Sequence, residues 1–93
     1  MIELPDPVLA RLLPRFVERR RRDVATILDM LEQNRFDRLL SIGHNLKGTG
    51  RTYGCDGITD IGRALEQAAR DGDAAEVRRQ AAALDDYVRR FNR

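Results

Sequence analysis

Residues 41–50 read SIGHNLKGTG, and this stretch holds the only histidine and the only lysine of a 93-residue chain. His44 and Lys47 stand three positions apart, with Gly43, Gly48 and Gly50 close by. A neutral imidazole nitrogen is a nucleophile, and an ammonium one helical turn away helps to hold an anion attached to it. Lys47 is then a mobile cation beside whatever the ring carries. Gly48 also lies one turn beyond the ring, where a missing Cβ exposes the imidazole edge to another protein's surface. Each glycine inside a helix costs about 1 kcal/mol relative to alanine, so three in so short a stretch mark places where a side chain is unwelcome. A lone exposed histidine is ordinarily surface decoration. With these neighbours the pattern suits a histidine that accepts a phosphoryl group, with Lys47 and Gly48 supporting the phosphate.

The element carrying His44 has to be a helix. Ala, Leu, Arg, Asp and Glu dominate the chain, aromatics make up 5%, and helix formers outnumber strand formers. With 42% apolar residues, the length suits one core and therefore one domain over residues 1–93. Asp6 before Pro7 caps a short first helix, VLARLL, that Pro14 ends or redirects. Val17, Val24, Ile27, Leu28 and Leu31 recur at helical spacing through about Gln33. Asn34 breaks the pattern, and Leu39, Ile42, Leu46 and Tyr53 form the core stripe of the next helix, which Gly54 closes in a left-handed conformation.

Ile58, Ile61, Leu65 and Ala68 mark a further helix that stops at Gly72. Asp73 and Glu76 resemble a capping box opening the last one, with a stripe of Val77, Ala81, Leu84, Val88 and Phe91. Short connections between long helices require antiparallel neighbours. The expected fold is all-α, an antiparallel up-and-down four-helix bundle with a short additional N-terminal helix.

On this layout His44 shares its stripe with Asp37, Leu40, Ser41, Lys47, Gly48 and Arg51, a wet face, so the ring points to solvent. Facing positions of the two helices that meet at Asn34 have numbers adding to about 69. His44 is then level with Ala25, and Lys47 with Arg22. Within the run RRRR at residues 19–22, Arg20 or Arg21 must lie near the apolar stripe and snorkel from it.

Other chemistries are disfavoured. Cys55 has no second cysteine or further histidine to complete a metal site or redox pair, and reads as a small buried thiol. Asp56, Asp60, Glu66, Asp85 and Asp86 read as helix-dipole partners and solubilising charge. A net charge of +2, with 17 basic against 15 acidic side chains, argues against nucleic acid. No stretch has the length of a membrane span, and MIELPDPVLARLL lacks the order of a signal peptide, so the cytoplasm is expected.

HNLKGTGRTYG, residues 44–54, is similar to the H-x-L-K-G-x5-G signature of histidine phosphotransfer (HPt) domains. LEQAARDGD, residues 65–73, resembles the L-E-x-A-x-x-x-G-D segment that follows in many of them. The resemblance covers most of the chain and implies a phosphorelay intermediate. His44 would take a phosphoryl group from a receiver-domain aspartate and pass it to another.

By the same resemblance the catalytic aspartates, the lysine and Mg²⁺ belong to the receiver, so this chain needs no cofactor or metal of its own. It is a phosphocarrier and not an enzyme, and without a nucleotide-binding segment it does not phosphorylate itself from ATP. The partner would be the receiver domain of a response regulator or hybrid histidine kinase, with no nucleic acid, no membrane and a monomeric state expected. Leu40, Ser41 and Arg51 around the histidine, with Arg19 and Arg22 on the preceding helix, are candidates for docking it. The alternative is a helical adaptor that binds a receiver or histidine kinase without carrying phosphate.

Overall fold

The computed structural model of the chain describes residues 7–91, and the side chains of residues 11–90. Among the described residues there are four helices and no strand: α1 (Pro7–Glu32), α2 (Phe36–Tyr53), α3 (Asp56–Asp71) and α4 (Ala74–Phe91). The expected cap at Asp6 lies outside the described residues, and the expected packing of Phe91 outside the described side chains.

The expected break at Pro14 is absent. α1 runs through Pro14 as one helix of 26 residues, so the separate N-terminal helix merges with the one after it. Proline lacks the N–H that would bond to the carbonyl of Ala10, but its fixed φ is helical. Packing decides the outcome, because Phe16, Val17, Ile27 and Leu31 are buried along one continuous stripe that starts beside Pro14. Pro14 itself is exposed, so its ring stays clear of the core. Leu28, expected on that stripe, is 45% exposed, and Phe16 takes a core position instead.

The stops fall where they were expected. Asn34 turns the chain with φ 59°, a left-handed conformation that asparagine tolerates. Gly54 (φ 69°) and Gly72 (φ 64°) close α2 and α3. In each case the next N–H reaches back to a carbonyl of the last turn, Cys55 to Gly50 at 2.8 Å and Asp73 to Ala68 at 2.9 Å. Asp73 caps α4 by accepting the Glu76 N–H at 3.0 Å, while the Glu76 carboxylate turns away to Arg79 and Gln80. Only half of the capping box forms.

The α1–α2 register also holds. The Phe16 and Tyr53 rings stack with centroids 4.3 Å apart, and Arg20 donates to Thr49. Both pairs have numbers adding to 69. Leu39, Leu46, Ile58, Leu65, Val77 and Leu84 are fully buried between the helices.

α2 and α3 lie closer than side chains would permit. A Cβ on Gly43 would stand 2.6 Å from the Glu66 nitrogen, one on Gly62 would stand 2.7 Å from the Gly43 oxygen, and one on Gly50 would stand 2.6 Å from the Thr59 nitrogen. Contact positions rise along α2 as they fall along α3, so these two helices run in opposite directions. The close approach brings α3 backbone to the level of His44.

Candidate functional site

His44 projects from the middle of α2 with its side chain 73% exposed, as its place on the polar stripe requires. Its Nδ1 lies 3.1 Å from Oε2 of Glu66, which reaches across from α3. The other carboxylate oxygen, Oε1, accepts a hydrogen bond from Lys47 Nζ at 2.9 Å. One buried carboxylate therefore joins the only histidine and the only lysine of the chain. The Arg70 guanidinium stands 3.7 Å from Oε2 as a second cation beside Lys47.

Glu66 is only 7% exposed in its side chain, and burial alone would raise its pKa. The hydrogen bond from Lys47 outweighs that and, with His44 and Arg70 adding to it, holds the carboxyl below its ordinary value. An ionised carboxylate can only accept hydrogen bonds. The proton between Glu66 and the ring therefore sits on His44 Nδ1, and in the neutral ring Nε2 carries the free lone pair. That nitrogen is the one turned away from the Glu66 contact, in a side chain that is 73% exposed.

Lys47 is anchored rather than mobile. Its ammonium is tied to Glu66 and the side chain is 25% exposed, which leaves further N–H donors for an anion at Nε2. Gly48 is exposed, and a Cβ there would meet nothing within 4 Å. The open space beside the ring is a property of the surface, since no packing among the described residues demands glycine at 48.

A family model for the Hpt domain matches residues 11–93. The chain belongs to this family. Comparison with curated proteins and with solved structures returned no match. Hpt domains are phosphotransfer domains of two-component signalling, phosphocarriers that interact with receiver domains and kinases.

The remaining candidates lie on α2 and α1 at different ranges from His44. Leu40 is half-buried one turn before His44, and Ser41 is exposed with its hydroxyl on the Asp37 carbonyl at 3.4 Å. Arg51 is exposed two turns after the ring. Arg19 and Arg22 are exposed on α1, and Arg19 borders the groove between α1 and α2 beside Thr49 and Tyr53. Arg20 is the member of the arginine run that turns inward, 6% exposed.

Glu66 is the residue of this candidate site that sequence reasoning set aside as a solubilising acid. Its signal was present: it follows Leu65 in the L-E of the second Hpt segment, on the buried edge of the α3 stripe. Arg70, one turn further along α3, was missed with it.

Cys55 is fully buried, and burial pushes its thiol pKa up, so it is held as an unreactive thiol. Among the described residues no group of three or more His, Cys, Asp or Glu side chains could hold a metal ion, and no helix is long and apolar enough to cross a membrane.

Proposed function

We propose that this chain is a cytoplasmic histidine phosphotransfer protein, a single antiparallel helical bundle that relays a phosphoryl group between receiver-domain aspartates through His44. The observation that carries this reading is the Glu66 contact to Nδ1, which leaves Nε2 as the accessible nucleophile. The Nε2 lone pair attacks the phosphorus of a receiver's aspartyl phosphate. The N–P bond forms as the bond from phosphorus to the aspartate oxygen breaks, and the carboxylate leaves with the bonding electrons.

The Nδ1 proton stays in place throughout. Phosphorylation at Nε2 gives the ring positive charge, and the Glu66 carboxylate offsets it. Lys47 faces the phosphoryl oxygens with the donors it does not spend on Glu66, and Gly48 gives the receiver room to approach. Transfer onward is the reverse reaction with a second receiver's carboxylate as nucleophile.

The catalytic aspartates, the lysine and the Mg²⁺ that transfer requires are assigned to the receiver, and this chain carries no cofactor of its own. Leu40, Ser41, Arg51, Arg19 and Arg22 surround the histidine as docking residues, and the protein acts as a monomer without autonomous kinase activity.

The test is transfer itself. Purified protein incubated with phosphorylated receiver domains should gain an acid-labile, alkali-stable phosphoryl group, and His44→Gln should gain none. If His44→Gln bound receivers as well as the wild type and neither protein took label, the adaptor reading would replace this one.

A further inference from the structure

The two flanks of His44 differ in how their charges are matched. On α3, Arg63 pairs with Asp60 at 3.9 Å and Arg70 with Glu66 at 3.7 Å. On α1, Arg15, Arg19 and Arg22 follow one another at spacings of four and three along a single stripe, and none of them joins an ion pair among the described residues. Among the described residues the unmatched positive charge around the site is therefore that of Arg51 on α2 and of these three arginines on α1, while the arginines of α3 are paired.

Arg15 and Arg19 line a cavity of about 240 Å³ between α1 and α2, together with Phe16, Arg20, Thr49 and Tyr53. Its inner wall is ordered. The Arg20 guanidinium lies 5.0 Å over the Phe16 ring and donates from Nη1 to Thr49 Oγ1 at 2.9 Å. The Arg20 side chain is only 8% exposed. Its Nε sits 2.8 Å from Asp23 Oδ2 as an ion pair, but the N–H is not directed at that oxygen and makes no hydrogen bond. Three guanidinium groups, those of Arg15, Arg19 and Arg20, thus line the cavity with no carboxylate among its described lining residues, and an anionic acceptor placed there would gain charge-assisted hydrogen bonds.

We propose that this cavity receives a carboxylate side chain of the docked receiver domain, so that the receiver sits over α2 and leans toward α1. The proposal rests on the reading that His44 exchanges phosphate with such a domain. Thr49 is five residues beyond His44, about 7.5 Å along the helix axis and about 140° around it, so a partner that reaches both crosses the exposed face of Asn45, Gly48 and Thr52, a span within one protein footprint. The stacked Phe16 and Tyr53 rings receive the methylene carbons of an aspartate or glutamate, and Arg15 and Arg19 close on its oxygens. A protein carboxylate fits better than a nucleic-acid backbone, because the chain as a whole carries 15 acids against 17 basic side chains.

The experiment compares Arg15→Glu with Arg78→Glu, an exposed arginine on α4 that makes the same change in net charge. Phosphotransfer from purified phosphorylated receiver domains is followed at several salt concentrations, and receiver binding is measured separately by calorimetric titration. The expected result is a KM at least tenfold higher for Arg15→Glu with kcat within twofold, a flatter dependence on salt, and wild-type values for Arg78→Glu. Equal changes in both variants, or none in either, would overturn the cavity. So would tighter binding of a 20-nucleotide RNA than of receivers, lost in Arg15→Glu, which would assign the arginines to nucleic acid. Labelling of the wild type by phosphoramidate reports on His44 alone, so a failure of the phosphocarrier reading is seen apart from a failure of the cavity, which the binding titration still scores.

Discussion

Glu66 Oε2 lies 3.1 Å from His44 Nδ1, a contact between residues 22 apart in sequence that fixes which ring nitrogen faces solvent. Replacing Glu66 with Gln keeps the shape and removes the charge. A hydrogen bond to a charged group contributes about 1.5–3 kcal/mol, so the transfer rate should fall roughly tenfold to hundredfold. Stability should change by only about 1 kcal/mol, because both partners are partly exposed. Stopped transfer assays beside denaturant melts check both numbers.

The same residue sets a pH dependence. Glu66 has a folded pKa below its ordinary 4.5, so its contribution to stability is complete above that value and is lost as pH falls through the folded pKa. Melts from pH 6 to pH 2.5 should show Glu66→Gln losing less stability than the wild type over the acid range. An acid limb as steep in the variant would show that other carboxylates carry it.

Gly48→Ala separates folding from transfer. A Cβ at 48 meets nothing within 4 Å among the described residues, so the variant should be more stable by about 0.5–1 kcal/mol through helix propensity alone. Phosphotransfer from a receiver should nonetheless slow, since the methyl group occupies the partner's approach. Thermal melts and transfer rates on the same preparation test the opposed signs.

Gly43 and Gly50 both hold α2 against α3, but only Gly43 abuts Glu66. Alanine at either should cost about 1–3 kcal/mol from overpacking. ¹⁵N spectra of the single histidine should show a disturbed Nδ1–H tautomer in Gly43→Ala and an unchanged one in Gly50→Ala.

The sequence made the site's histidine, lysine and glycine legible because all three lie within one turn on one helix. The α1–α2 register was equally readable, since the turn at Asn34 fixes it, and Phe16 with Tyr53 and Arg20 with Thr49 obey it. Glu66 was not readable from spacing, because its role depends on how closely Gly43 and Gly62 let α3 approach, and helical periodicity carries no interhelical distance. Pro14 misled for a related reason: its local preference to end a helix is outweighed by the burial of Phe16 and Val17, a tertiary effect. The Lys47 anchor, likewise, exists only once Glu66 is in place.

The most direct test of His44 as carrier uses the fact that the chain has one histidine. Protein labelled with ¹⁵N in histidine is phosphorylated by a receiver domain, and the ring nitrogens are examined for coupling to ³¹P. Coupling at Nε2, with the Nδ1 proton retained, is the predicted result. Coupling at Nδ1, or phosphoryl label on the protein with no coupling to either nitrogen, would contradict it.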